Sequence, residues 1–449
     1  MSAGRLTTQQ VAELLGVKVQ TVYAYASRGL LSSERVPGGK GSTFDAAEVA
    51  ALAAGQRRQL PRPGGGGAGG ASGAGAEWPS SEPVTVRTEL TLIEDGRLYY
   101  RGVDAVRFAE RHRFEAAVGL LWGVGAEPGV RLVAAPELVA GLRRAGDTLP
   151  AGTRLPDRLR VAAAVAASLD PLRFDLRPEN VRATGAALIA ALVEALPGPW
   201  AEPSAEPGPS AEPGPSGEPV RSGESVGVGS GDSLAARLWT RLSAAPPPAG
   251  AVDCLDRALV LLADHELAVS TVAARVAASA RAHPYAVVSA GLGASDGPLH
   301  GAASALAHRV LGEVLAAGDA VPVVSEYLRT GRPIPGLGHR LYPQGDPRAV
   351  ALLAAVGRLP GAGPVLAAVE QLVRAAGGPR APIAESANVD LALAAFAQLT
   401  GMAVEAGEVI FSVARTAGWL AHAMEEYQAA PLRMRARAVY TGPRPAGLG

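Results

Sequence analysis

Residues 336–348 read GLGHRLYPQGDPR: an imidazole follows two glycines in a turn-forming segment, and an Asp-Pro-Arg triplet ends nine residues later. Glycine lets backbone or ligand approach closely, so His339 stands where it can touch a bound molecule. Upstream, GPLHG at 297–301 sets His300 in the same kind of frame. Around both, the chain consists of Ala/Leu/Val-rich runs bounded by Pro and Gly. These predict helices over Val161–Leu169, Ala183–Leu196, Leu234–Leu242, Asp253–Leu267, Ser270–Arg281, Ala302–Ala316, Val323–Arg329, Ala349–Leu359, Val365–Ala375, Asp390–Leu399 and Val409–Tyr427. Strand signals are confined to Val84–Leu92 and Arg97–Tyr100. The expectation is a large, mainly α domain. No G-x-G-x-x-G follows a strand and no P-loop occurs, so neither nucleotide-binding motif accounts for the glycines.

The accompanying charges narrow the chemistry. Arg340, Arg348, Arg415 and the cluster Arg433, Arg435, Arg437 share the sequence with neutral imidazoles, and guanidinium forks pair two-pronged with carboxylates. A small polycarboxylate is the ligand such a set suits. His265, in Asp264-His265-Glu266, is expected near the end of an apolar helix. His300 and His308 are eight residues apart, and no H-x-x-x-H, C-x-x-C or H-E-x-x-H occurs, so no metal is expected. The single cysteine, Cys254, lies in an apolar run and reads as buried; one cysteine excludes a disulfide framework.

Two low-complexity stretches divide the chain. Gly64–Gly75 (GGGGAGGASGAG) marks a linker over 59–84. A Pro/Glu/Ser/Gly insertion over 197–232 has neither periodicity nor apolar content and is expected to be disordered. The 449 residues hold 42 Lys+Arg against 42 Asp+Glu, which argues against a surface that coats nucleic acid. Residues 1–60, however, carry seven bases against four acids, net +3. Here a Thr7-capped helix, a turn at Gly16-Val17, a second helix over 18–28 and a hairpin over 35–44 predict a winged helix-turn-helix at 1–58. The stretch resembles the MerR and excisionase class, which implies DNA contacts from Lys18, Gln20, Thr21 and Tyr25 of the second helix and from Arg35 and Lys40 of the wing. The alternative is a docking or oligomerisation module.

Residues 85–442 resemble citrate synthase. The resemblance rests on TELTLIEDGRLYYRG (88–102), DHELAVST (264–271), GPLHG, GLGHRLYPQGDPR, NVD (388–390), SVARTAGWLAH (412–422) and RARAVYTG (435–442), in the family's order. It implies a two-domain helical fold, a small domain of about 301–390 closing over a cleft. It implies, too, the tricarboxylic acid cycle type of condensation: acetyl-CoA, or propionyl-CoA, joins oxaloacetate to give citrate, or 2-methylcitrate, with no cofactor beyond the CoA thioester. Asp390 would remove the methyl proton, His300 would stabilise the enol oxygen, and His339 would polarise and protonate the ketone. His265, Arg348 and Arg415 would bind the acceptor, with Arg435 supplied by the second subunit of a homodimer, and Gly338 and Arg340 would contact CoA. A helix N-terminus behind His300 would keep it neutral. The chain departs from the pattern at Ala268 and Val269, Pro343 and Ala387, all outside the proton-transfer groups.

A second reading makes the larger part a metabolite sensor that controls a DNA-binding head. No stretch of 18 strongly apolar residues occurs, and the start lacks a charged-then-apolar leader, so a cytoplasmic enzyme away from membranes is expected.

Overall fold

The computed structural model describes residues 5–15, 19, 22, 26, 31–35, 42–46, 48–49, 86–198, 233–377 and 387–435. The expected linker, all but the first two residues of the expected insertion, and Lys18, Gln20, Thr21, Tyr25 and Lys40 lie outside them; for Arg35 only the backbone is described. The chain forms two compact units, 1–81 and 82–449.

In the first unit, β1 (Arg5–Thr7) leads into α1 (Thr8–Leu15), and β2 (Ser33–Arg35) pairs antiparallel with β3 (Ser42–Asp45). β3 is central, with β1 on its other edge. Thr7 starts α1 with a reciprocal capping box: its N–H donates to Gln10 Oε1 at 2.9 Å and its hydroxyl accepts the Gln10 N–H. Val11, Val22, Leu31, Phe44 and Val49 close a small core beneath the sheet. The expected wing is thus the β2–β3 pair, while β1 was not anticipated.

The second unit opens with a three-stranded meander, β4 (Thr91–Glu94), β5 (Arg97–Tyr100) and β6 (Val103–Asp104), then turns helical. The described helices are α2 (Ala105–Ala109), α3 (Phe114–Leu121), α4 (Pro136–Asp147), α5 (Leu155–Leu169), α6 (Pro178–Glu194), α7 (Leu234–Leu242), α8 (Ala251–Leu262), α9 (Val269–Ser279) and α10 (Pro284–Ser295). They continue with α11 (Ala303–Ala317), α12 (Ala320–Arg329), α13 (Pro347–Val356), α14 (Gly363–Gly377), α15 (Val389–Leu399) and α16 (Ala406–Gln428). Proline sits in the first turn of α4, α5, α6, α10 and α13, where its missing N–H costs nothing.

α16 is the axis of this unit. It is buried almost all round along nearly its whole length, polar side chains such as Arg415, His422 and Glu426 included, and packed by α6, α8, α9 and α10. Its close contacts rest on glycines: a Cβ at Gly291 of α10 would fall 2.5 Å from the Trp419 ring. A second, smaller core gathers Val310, Leu311, Val324, Val369, Leu372 and Leu391 from α11, α12, α14 and α15. α13, although inside 301–390, contributes Leu352 and Val356 to the larger core instead. Cys254 is buried there, and burial pushes its thiol up to about 12. No helix of the described residues is long and apolar enough to cross a membrane.

Candidate active site

α8 does not run through His265 as expected; it stops at Leu262 because other elements take its last carbonyls. Tyr100 of β5 donates to the Val260 and Asp264 carbonyls at 3.0 and 3.1 Å, Arg415 Nε to Leu262 at 2.8 Å, and the Gly418 N–H to Ala263 at 3.1 Å. The chain then leaves helical geometry, with Glu266 in the left-handed region at φ 53°. His265 is thereby turned inward, buried, with Nε2 2.9 Å from the Tyr342 hydroxyl and its ring 5.2 Å from that of His339.

The 336–348 loop is tied to the start of α15. Asn388 N–H donates to the Gly336 carbonyl at 3.0 Å and Asn388 Nδ2 to that of Gly338 at 3.0 Å. Gly336 (φ 85°) must be glycine here, since a Cβ would fall 2.8 Å from that of Leu391. Asn388 also caps α15, its Oδ1 accepting the Asp390 N–H at 3.0 Å. The two segments carrying His339 and Asp390 are therefore one hydrogen-bonded unit.

Each imidazole is held by a donor or hydroxyl on one nitrogen. Leu341 N–H donates to His339 Nδ1 at 3.1 Å, so neutral His339 carries its proton on Nε2. Ser270 Oγ lies 2.7 Å from His300 Nε2. Burial, with Arg415 behind it, pushes His300 down to about 4; burial, then Arg348, does the same for His339. His265 is driven well down by burial and then by Arg348 and Arg415. All three are neutral at pH 7. His300 lies in the turn just before α11, and burial, with the Arg415 cation, holds its imidazole neutral.

The carboxyl of Asp390 behaves oppositely. At the second position of α15 the helix dipole favours its anion by about 0.3–1 kcal/mol. Burial outweighs this and the pull of Arg348, and pushes it up to about 7. A base poised near neutrality results.

Arg348 and Arg415 are both buried. Arg348 forks onto Asp346, Nε to Oδ1 at 2.9 Å and Nη2 to Oδ2 at 2.8 Å. Arg415 uses only Nε, and its Nη1 is buried without a partner among the described residues. Burial lowers Arg415 to about 10, so it remains a cation at pH 7. Gly338 and Arg340 are exposed beside His339. Arg435 is exposed, and its guanidinium touches none of these groups within its own chain.

The fold thus gathers His265, His300, His339, Arg348, Arg415 and Asp390, and adds Ser270, Tyr342, Asp346 and Asn388. The last four stand inside the quoted motifs, but none belongs to a residue pattern that by itself signals proton transfer or carboxylate binding. A buried ion network, also unanticipated, runs behind the site. Asp264 meets His422 Nε2 at 3.2 Å; the other face of His422 contacts Arg275, which pairs with Glu426 at 2.6 Å and Glu425 at 2.8 Å.

Residues 81–437 match the family described as citrate synthase, C-terminal domain, and residues 5–57 match a helix-turn-helix domain. Citrate synthase 2 of Bacillus subtilis is 36% identical over 192 residues, 43% of this chain and 51% of that protein. 2-Methylcitrate synthase 2 of Corynebacterium glutamicum is 27% identical over 351 residues, 75% of this chain and 87% of that protein. The chain spans little more than half, 57%, of the first curated relatives it matches. Among solved structures, the citrate synthase of Thermoplasma acidophilum, in a ternary complex with carboxymethyl coenzyme A and oxaloacetate, shares the fold at a TM-score of 0.60. It is 22% identical, and the match covers 80% of this chain and 94% of that one.

Proposed function

The chain belongs to the citrate synthase family, and from that premise we propose that it condenses an acyl-CoA with oxaloacetate, releasing CoA. The observation that carries the reading is the pairing of a carboxyl at about 7 with neutral imidazoles and two buried guanidiniums in one cluster. Asp390 takes a proton from the thioester methyl group as the carbonyl oxygen gains charge, and His300 donates a hydrogen bond to that oxygen. The enol carbon then bonds to the acceptor's ketone carbon while His339 Nε2 gives its proton to the ketone oxygen. Water cleaves the thioester and CoA leaves. A neutral donor is what this sequence needs, because an imidazolium at His300 would protonate the enolate instead of stabilising it. His265, Arg348 and Arg415 hold the acceptor's carboxylates, and Gly338 and Arg340 lie open for the CoA chain.

Acetyl-CoA and propionyl-CoA differ by one methylene, worth about 1–3 kcal/mol in a pocket. CoA release with each thioester, on the wild type and on Asp390→Asn, tests the whole reading. Wild-type release that depends on oxaloacetate and disappears in the variant is expected. A folded protein releasing no CoA with either thioester defeats the reading.

Two partner readings accompany it. Val269, Val272 and Val276 form an exposed apolar stripe on α9, which supports a homodimer in which Arg435 completes the partner's site. Light scattering of the purified chain should give twice the chain mass. The helix-turn-helix match and the β2–β3 wing support DNA as a partner of the first unit; a gel shift at low salt that weakens as salt rises is the expected result. The sensor reading is not favoured by the comparisons, which join the second unit to a family of synthases.

A further inference from the structure

Tyr342 stands among the groups assigned to the acceptor without being one of them. Its side chain is buried, its ring centre is 4.8 Å from that of His339 and 5.5 Å from that of His265, and the Arg348 guanidinium lies 5.5 Å over it. The hydroxyl makes one hydrogen bond, to His265 Nε2 at 2.9 Å. Among the described residues His265 Nδ1 makes none, so it is the ring nitrogen left free for a ligand.

A neutral imidazole has a single N–H. Were it on Nε2, donating to the phenol oxygen, the phenol proton would be a buried donor without an acceptor, at about 1–3 kcal/mol. The cleft would then be faced by the Nδ1 lone pair, which repels a carboxylate. Were it on Nδ1, the phenol donates to Nε2, both groups are satisfied by one bond, and the cleft is faced by an N–H. Burial pushes the Tyr342 phenol up, so it keeps the proton this requires. His339 is organised the same way, with Leu341 N–H on one nitrogen and the proton forced to the other.

We propose that Tyr342 is the positioning residue of His265: its hydroxyl donates to Nε2 and so keeps the ring proton on Nδ1, aimed at the acceptor's carboxylate. The inference rests on the acceptor-binding reading of His265 given above, and its test separates the two. Nitrogen-15 NMR of the wild-type chain, without substrate, reports the His265 tautomer whatever the activity; a proton on Nδ1 is expected, and one on Nε2 overturns the proposal. In Tyr342→Phe the tautomer should become mixed. In the same variant KM for oxaloacetate should rise about tenfold or more, while KM for the thioester stays unchanged and kcat falls by less. In a His265→Ala background the same substitution should add no further loss. An unchanged tautomer and oxaloacetate KM in Tyr342→Phe, or a loss that adds fully to that of His265→Ala, overturns it. Absence of CoA release from the wild type would instead overturn the functional reading and leave the NMR result standing.

Discussion

Asp346 and Arg348 form a two-pronged ion pair in the interior, and the same carboxylate accepts the Val389 N–H at 3.0 Å from the first turn of α15. One carboxylate therefore holds a buried guanidinium, caps α13 and ties the loop of His339 to the helix of Asp390. Burial opposes its charge, but Arg348 outweighs burial and holds it below the usual carboxylate range.

Asp346→Ala leaves a buried guanidinium unpaired and should cost about 3–5 kcal/mol of stability. Denaturant titration measures it. Because the folded carboxyl is lowered, the wild type's advantage over the variant should be fully present above the ordinary carboxylate range and be lost as pH falls below that range through the lowered folded value; an advantage that grows on acidification contradicts the pairing.

Asp390 gives the opposite sign. Its folded carboxyl is raised to about 7, so the folded state holds a proton that the unfolded chain has lost, and stability declines between about pH 4 and 7. Asp390→Asn removes that decline. Its melting temperature should exceed that of the wild type by a margin that widens from pH 4 to 7 and then levels, while CoA release by the wild type falls as pH drops below about 7.

Arg415→Lys keeps a charge and loses the fork. The buried, unpartnered Nη1 of Arg415 is the donor an acceptor carboxylate would use, so KM for oxaloacetate should rise about tenfold to a hundredfold. Steady-state kinetics with the thioester saturating gives the answer, and an unchanged KM assigns Arg415 to structure alone.

Glu426 accepts from both Arg275 and Arg433, with Arg275 and Glu426 wholly buried. Glu426→Leu removes one of the two carboxylates paired with Arg275, leaving Glu425, and should cost up to about 3–5 kcal/mol, whereas the double change Arg275→Met, Glu426→Leu should cost less than the two single losses summed. A double-mutant cycle on unfolding free energies distinguishes a coupled pair from two independent contacts.

Gly418→Ala would drive a methyl group into the Asp264 carboxylate and the Ala263 carbonyl. The expected cost is about 1–3 kcal/mol. Because α16 would be pushed from the segment that carries His265, oxaloacetate KM should rise together with the loss in melting temperature; a drop in stability with KM intact would show that His265 does not depend on this contact.

The local sequence determined what local forces decide. The α7 range, Leu234–Leu242, and the β5 range, Arg97–Tyr100, follow from apolar spacing and an Asp-Gly turn, and Thr7 and Gln10 announce their capping box. The motifs also brought His300, His339, Arg348, Arg415 and Asp390 to notice. α6 and α13 start earlier than their apolar runs predict, at Pro178 and Pro347, because a proline ring suits the first turn of a helix. What the tertiary structure alone decided is the end of α8 and the protonation of the site. Tyr100, Arg415 and Gly418, up to 160 residues away, take the last carbonyls of α8 and turn His265 inward. Periodicity cannot register a donor that arrives from another element, nor can composition show the burial that lifts Asp390 and lowers the imidazoles. Those depend on which groups share a dry volume, and only the packed chain puts them there.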